Sequence, residues 1–308
     1  MITRQQNIGY ITLNRPQVLN ALNLEQFILI QAQLDEWQAD DTLHAVVITG
    51  TGRAFCAGGD IRWVYEHRDS FAEQVNFFQH EYRLNYALHN YPKPCIALMH
   101  GITFGGGVGL ALHCSHTIAS ENFLFAMPET SIGFFPDIGS SHLLTRLSAP
   151  NQQLSLSIGK YLGLTGARIG AADACALNLV KYYVPEVDFA KLLQQLLLTD
   201  LSVDAHNRVY VCIENFALPV ATGELVKVYN KIQHSFAQDS IIDIINTLAM
   251  DAEEWSVNIK NTLLQKSPFS LWVTLLQLQR AVGLSLAECL QMDYNLVQHF
   301  LRSHDFYE

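Results

Sequence analysis

Two glycine-rich turns, Ala57-Gly58-Gly59-Asp60 and Gly105-Gly106-Gly107-Val108-Gly109, precede two acids, Glu129 in the run MPET and Asp137 in FFPDIG. In that order they make the parts of an acyl-transfer site. A thioester or ester carbonyl attacked by water gathers negative charge on its oxygen, and each preorganised N–H donor aimed there lowers the barrier by roughly 2.7–4 kcal/mol. Glycine lets backbone approach a ligand closely, and a turn that opens a helix presents free N–H groups. The amides of Gly59 and Gly106 are the candidate donors of an oxyanion hole; tight packing of both turns is the plainer reading. A dinucleotide cradle fits less well. Gly105–Gly109 lacks the G-x-G-x-x-G spacing, and no Gly-Lys-Ser/Thr ending follows.

Glu129 follows the apolar run Phe123–Met127 and sits beside Pro128. Desolvation there raises a carboxyl pKa towards neutrality, which suits a general base. Asp137 follows Gly133-Phe134-Phe135-Pro136, a turn of aromatics that would exclude water, and a second carboxylate there can bind a substrate hydroxyl or share the proton work. Both acids also have plainer readings. Glu129-Thr130 can be a helix start, Asp137 an N-cap for Ile138–Leu147, and Asp60 an N-cap for Ile61–His67. His113-Cys114-Ser115-His116 invites a metal but offers no third ligand nearby. Ser140-Ser141-His142 lacks a nucleophile elbow and reads as capping or packing.

Those residues need a scaffold. The two turns leave apolar runs, Ala45–Ile48 and Cys95–Met99, that read as buried strands. From residue 8 to about 184, β-branched runs alternate with amphipathic stretches, the pattern of βαβ units and a largely parallel sheet. Past Pro185 the period becomes helical, in Phe189–Leu198, Ile241–Met250, Trp255–Leu264 and Leu271–Val282, with Pro268 and Gly283 as breaks. The expected organisation is therefore 1–184 as the core and 185–308 as a helical region. With 308 residues, 49% of them hydrophobic, the chain can bury a sizeable core. A net charge of −10 disfavours nucleic acid and points to a small molecule, held by local basic groups or backbone amides if it carries phosphate. Six scattered cysteines read as free thiols. No apolar run reaches the ~18 residues of a membrane span. No signal or transit-like composition precedes the strand at Ile8–Leu13, so a cytoplasmic protein is expected.

The segments TLNRPQVLNAL, GRAFCAGGDIR, HGITFGGGVGL and FAMPETSIGFFPDIGSSHLL resemble the enoyl-CoA hydratase/isomerase (crotonase) superfamily. Within it, the chain is most similar to the 3-hydroxyisobutyryl-CoA hydrolase family, from about Ile11 through KSPFSLWVTLLQL to the terminal HDFYE. The resemblance implies an α/β crotonase fold, a spiral of ββα units with a helical C-terminal region. It implies an acyl-CoA substrate whose thioester oxygen sits between the amides of Gly59 and Gly106, with no separate cofactor and no metal. Contacts to CoA would fall at Leu19, Ala21, Ala57, Asp60, Ile61 and Arg62, largely through backbone, with Arg62 reaching a phosphate. Backbone binding would reconcile CoA with the acidic chain.

The resemblance also separates subfamilies. Hydratases of the superfamily have a glutamate where this chain has Gly109, paired with the glutamate of the P-E step, so that two carboxylates handle one water. The hydrolases have glycine there and add an aspartate eight residues after the glutamate, which matches Glu129 and Asp137. The implied reaction is cleavage of 3-hydroxyisobutyryl-CoA to 3-hydroxyisobutyrate and CoA, as in valine catabolism. Glu129 would activate water or attack the carbonyl, and Asp137 would orient the 3-hydroxyl or the water. Glu81 lies where the family carries a substrate-side acidic pair, of which His80 replaces one member. Relatives usually continue past the HDF-x-E motif, whereas this chain stops at Glu308, so what that tail covers should be exposed or closed differently. A hydratase or isomerase acting on another acyl-CoA is the enzymatic alternative. An inactive crotonase-fold interaction protein is the alternative of another class. A homo-oligomer is expected from the family's habit.

Overall fold

The computed structural model describes residues 1–148 and 155–308. Ten short strands form two sheets. They are β1 (Ile2–Gln5), β2 (Ile8–Leu13), β3 (Ala45–Gly50), β4 (Ala54–Cys56), β5 (Cys95–Met99), β6 (Ile102–Phe104), β7 (His116–Ala119), β8 (Leu124–Ala126), β9 (Ile169–Gly170) and β10 (Tyr182–Tyr183). One sheet runs β1-β2-β3-β5-β7-β10 and the other β4-β6-β8-β9. Each consecutive pair, β3/β4, β5/β6 and β7/β8, sends its first strand to the larger sheet and its second to the smaller. Pairing among these repeats is parallel in both sheets. That arrangement is the ββα spiral, and it replaces the one sheet that periodicity suggests. Strands of three residues, such as β4, β6 and β8, are too short to carry a period.

The larger sheet is buried on both faces, as parallel sheets are. Alternate residues divide between two cores: Val46, Ile48, Ala97 and Met99 face the main cluster, while Ala45, Val47, Ile96 and Leu98 face a second.

Seven helices belong to the first 184 residues: α1 (Leu24–Ala39), α2 (Ile61–Glu66), α3 (Phe71–His89), α4 (Gly106–Leu112), α5 (Ser140–Leu144), α6 (Leu156–Thr165) and α7 (Ala171–Ala176). Asn23 and Gln26 start α1 with a reciprocal capping box. Seven more follow: α8 (Phe189–Leu198), α9 (Ala205–Glu214), α10 (Leu225–Phe236), α11 (Ile241–Met250), α12 (Glu254–Leu264), α13 (Pro268–Ala281) and α14 (Leu286–Phe300). Pro268 divides α12 from α13 by occupying the first turn of the latter behind the Ser267 cap.

The change near 185 is one of secondary structure, not of packing. Helices α8 and α9 cover the second face of the larger sheet, through Leu192, Leu196, Val209 and Ile213. Helices α10 and α13 pack on α6, and α14 packs on α3. Among the described residues no helix is long and apolar enough to cross a membrane.

Candidate active site

A cavity of about 160 Å³ opens where the turn after β4, helix α3, the turn after β6 and the loop after β8 meet. The spiral makes this junction, because each repeat ends its smaller-sheet strand on the same side. Of the expected site residues, Ala57, Gly59, Ile61, Glu81, Gly106, Glu129 and Asp137 all line this cavity.

The two glycine amides are free for a common geometric reason. Leu22 N donates to Gly58 O at 2.8 Å and Asp60 N donates to Leu22 O at 2.8 Å, which ties down the residues flanking Gly59. Extended backbone alternates its hydrogen-bonding direction, so the Gly59 N–H points away from Leu22. Gly106 is the first residue of α4, whose N–H has no intrahelical partner. Among the described residues neither amide donates a hydrogen bond. A Cβ placed on Gly106 would stand 2.9 Å from Gly59 N and 2.1 Å from Glu81 Oε1. The Gly59 amide and the Glu81 carboxyl therefore both lie close beside Gly106. Gly105 is required twice, by its φ of +48° and by Glu129 Oε1, which a Cβ would approach to 2.7 Å.

Three carboxyls, Glu81 (3% exposed), Glu129 (7%) and Asp137 (5%), face this space, and no Lys or Arg lines it. Buried like charges cannot all ionise. Burial, then the charges of Asp137 and Glu129, holds the Glu81 carboxyl pKa well above its ordinary range. Burial and Asp137 do the same to Glu129. Asp137 is pushed up to about 7 by burial, an effect opposed by the Tyr82 hydroxyl, which donates to its Oδ2 at 2.7 Å. Asp137 is thus the carboxyl best supported as an anion, and it is held by Tyr82 instead of capping a helix. Glu129 opens a 3-10 turn, Glu129–Ile132, as a helix start would, and still presents Oε2 without a partner. Glu81 Oε1 is also buried and unpartnered.

Stability should follow from these shifts. A carboxyl whose folded pKa is raised holds its proton more tightly when folded, so its contribution is complete below the unfolded value and is lost as pH rises through the folded value. For Asp137 that window runs from about pH 4 to about 7, and for Glu81 and Glu129 it extends upward. Glu81→Gln should therefore raise Tm at pH 8 by several degrees, on the order of 2–4 °C per kcal/mol recovered. The gap should close as pH falls towards 5. Differential scanning calorimetry across that range checks it; an equal or lower Tm at pH 8 would contradict the charge assignment.

Four expected contacts lie outside the cavity. Leu19 O accepts from Ala57 N, and Ala21 O accepts from Arg15 Nη1. Asp60 caps α2 through Trp63 N and pairs with Arg15 at 3.2 Å. Arg62 extends into solvent beside Glu66. Leu19 and Ala21 are backbone neighbours of the first turn.

Sequence reasoning passed over Tyr82, Phe78 and Asn85. All three sit on α3 with Glu81, at one, three and four residues from it, and Tyr82 and Asn85 are visible in QHEYRLNY. Phe78 stacks on Phe134 with centroids 5.5 Å apart, and Phe134 in turn meets Phe300 and Phe306. The HDFYE segment thus backs the aromatic wall of the cavity. Asn85 closes the space beside Gly109: a Cβ there would stand 2.8 Å from Asn85 Oδ1 and 3.0 Å from Ile138 Cβ. A side chain at that position would force Asn85 and Ile138 to move. His113 donates from Nε2 to Ile138 O at 2.9 Å, and Ser140 Oγ donates to Pro136 O at 2.8 Å. Both clusters that invited metal or nucleophile readings are thus engaged in holding the Asp137 turn.

Two sheets wound as a spiral of parallel ββα repeats, with paired glycine amides facing buried carboxyls, define the crotonase class of acyl-CoA enzymes. The enoyl-CoA hydratase/isomerase family model matches residues 8–308. The chain is 39% identical to the mitochondrial 3-hydroxyisobutyryl-CoA hydrolase of Xenopus tropicalis, covering all of this chain and 80% of that protein. It is 37% identical to the Homo sapiens protein of the same name, covering 97% and 77%. Among solved structures, a carnitinyl-CoA dehydratase from Mycobacterium thermoresistibile superposes with a TM-score of 0.92 at 31% identity, over 100% of this chain and 87% of that one. An enoyl-CoA hydratase from Rhodobacter sphaeroides superposes at 0.88 with 34% identity and the same coverage. The chain belongs to the 3-hydroxyisobutyryl-CoA hydrolase family within the enoyl-CoA hydratase/isomerase superfamily.

The same relatives overturn the cytoplasmic expectation, since both are mitochondrial by name. Free cysteines carry no organelle address.

Proposed function

We propose that this chain hydrolyses 3-hydroxyisobutyryl-CoA to 3-hydroxyisobutyrate and CoA. The observation that carries the choice of hydrolysis over hydration is the closed space at Gly109, set against Asp137 facing the cavity instead. The thioester oxygen would sit between the amides of Gly59 and Gly106, beside the Glu81 carboxyl. Glu129, once ionised, would take a proton from water or attack the carbonyl carbon itself, giving an anhydride that water then opens. In the first route the thiolate of CoA leaves as the adduct with water collapses, and in the second it leaves as the anhydride forms, before water opens it; in both it takes a proton. Asp137, steadied by Tyr82, would accept a hydrogen bond from the 3-hydroxyl, and Glu81 would meet the acyl group from α3. Ala57 and Ile61 would flank the thioester arm at the mouth, and the exposed Arg62 is free to turn from Glu66 to a phosphate. CoA enters as part of the substrate, and no other cofactor is needed for these steps.

Free thiol released from 3-hydroxyisobutyryl-CoA and from crotonyl-CoA by the purified protein tests this directly. Release from the hydroxyacyl substrate alone is the expected result. Loss of crotonyl absorbance without thiol would overturn it in favour of hydration. Asp137→Asn should narrow the preference for 3-hydroxyacyl over plain acyl-CoA by about tenfold, the worth of roughly one hydrogen bond to a charged group. Unchanged selectivity would remove Asp137 from the hydroxyl.

A further inference from the structure

The turn that carries Asp137 is held from the C-terminal helices. Asp293, on α14, is entirely buried, and its Oδ2 accepts from Gly139 N at 2.7 Å. Its Oδ1 accepts from Gln277 Nε2 of α13 at 2.8 Å, and the same nitrogen donates to Pro136 O at 2.9 Å. Gln277 must point that nitrogen inward, because the reverse orientation would set its carbonyl oxygen against that of Pro136. His113 anchors Ile138 O as a neutral donor, burial having pushed its imidazolium pKa down to about 4. Residues 136, 138 and 139 are therefore each fastened, and Asp137 lies among them.

Between Asp137 and Gly139, Ile138 stands at φ +58°, a conformation that a β-branched residue avoids. Strain of that kind persists only where the surroundings over-determine it. Neither Asp293 nor Gln277 lines the cavity. Burying a carboxylate without a cation is costly, and packing alone would be better served by an apolar side chain. Two acceptors on one rigid group are what the site needs: an asparagine at 293 would turn an N–H towards either Gly139 N or Gln277 Nε2.

We propose that Asp293 and Gln277 are positioning residues that hold the strained 136–139 turn and so aim the Asp137 carboxylate at the substrate. The proposal rests on the reading of Asp137 as a group that contacts substrate. It makes the helical C-terminal region part of the catalytic apparatus and not only a cover.

The test is steady-state hydrolysis by Asp293→Asn and Gln277→Met, each alone and each combined with Asp137→Asn. Either single variant should lower kcat on 3-hydroxyisobutyryl-CoA by at least about tenfold, as misplacement of a reacting group does. KM for 3-hydroxyisobutyryl-CoA should rise with the loss of the 3-hydroxyl contact, while KM for plain acyl-CoA changes little, since CoA contacts are untouched. On the Asp137→Asn background, either change should lower kcat by less than about twofold, because the group it aims is already gone. Losses that multiply on that background, or a parental kcat in folded Gln277→Met, overturn the proposal. If Asp293→Asn fails to fold, the Gln277 cycle decides alone. A parental rate in Asp137→Asn by itself would instead refute the underlying reading of Asp137, and this proposal would fall with it.

Discussion

Glu129→Gln should lower thioester cleavage by about a thousandfold, within the range contributed by general acid–base groups, while the protein keeps its fold and its affinity for CoA. The amide has nearly the shape of the carboxyl, so the 3-10 turn and the contact with Gly105 survive. What disappears is the only state of this side chain that can take a proton or attack a carbonyl. The loss should appear in kcat with little change in KM, because the lost interaction belongs to the transition state. Thiol release measured beside CoA binding by calorimetry checks both halves. A parental rate would sink the mechanism. The same assignment fixes a direction for pH in the parent. Burial and Asp137 hold the Glu129 pKa well above the ordinary carboxylate range, so the reactive anion becomes available only as pH rises. Activity should therefore climb through neutrality towards alkaline pH, and an acid optimum would contradict it.

Gly106→Ala should be nearly as damaging for a different reason. Its methyl group would stand 2.1 Å from Glu81 Oε1 and 2.9 Å from Gly59 N. It would therefore occupy the space in which the carbonyl oxygen must sit between the two amides. Removing one oxyanion donor from an enzyme costs about 10²–10³ in kcat, and blocking the space shared by two should cost at least as much. Activity at or above one tenth of the parent in a folded variant would show that the oxyanion does not bind there. Gly106→Ala and Glu129→Gln act on different atoms, so together they separate stabilisation of the oxygen from activation of the nucleophile.

The site was readable in the chain to an unusual degree because its parts are backbone turns and acids in fixed order. Glycine turns at the ends of apolar runs place amides at strand ends whatever the details of packing. Helix boundaries past residue 185 were also readable, since Phe189–Leu198 and Ile241–Met250 carry their period over ten residues each. The second sheet was not, because β4, β6 and β8 have three residues apiece. Asp137 illustrates the boundary between the two kinds of knowledge. Its position in FFPDIG suggested equally a cap or a catalytic acid, and the choice depends on Tyr82, fifty-five residues earlier.

The sequence by itself determined the class of protein, the candidate donors and acids with their order along the chain, and the helical character of the last third. These depend on local conformation and residue type, which short-range spacing records. Only the tertiary structure decided that Glu81 sits beside the two glycines, that Asn85 and Ile138 close Gly109, and that α13 and α14 fasten the Asp137 turn. Each of these is a contact between segments separated by 22 to 154 residues, or a space left between them, and no local pattern encodes such a meeting. Burial then set the protonation of the acids, because three carboxyls that are harmless apart become mutually raising once one small cavity without a cation contains them all.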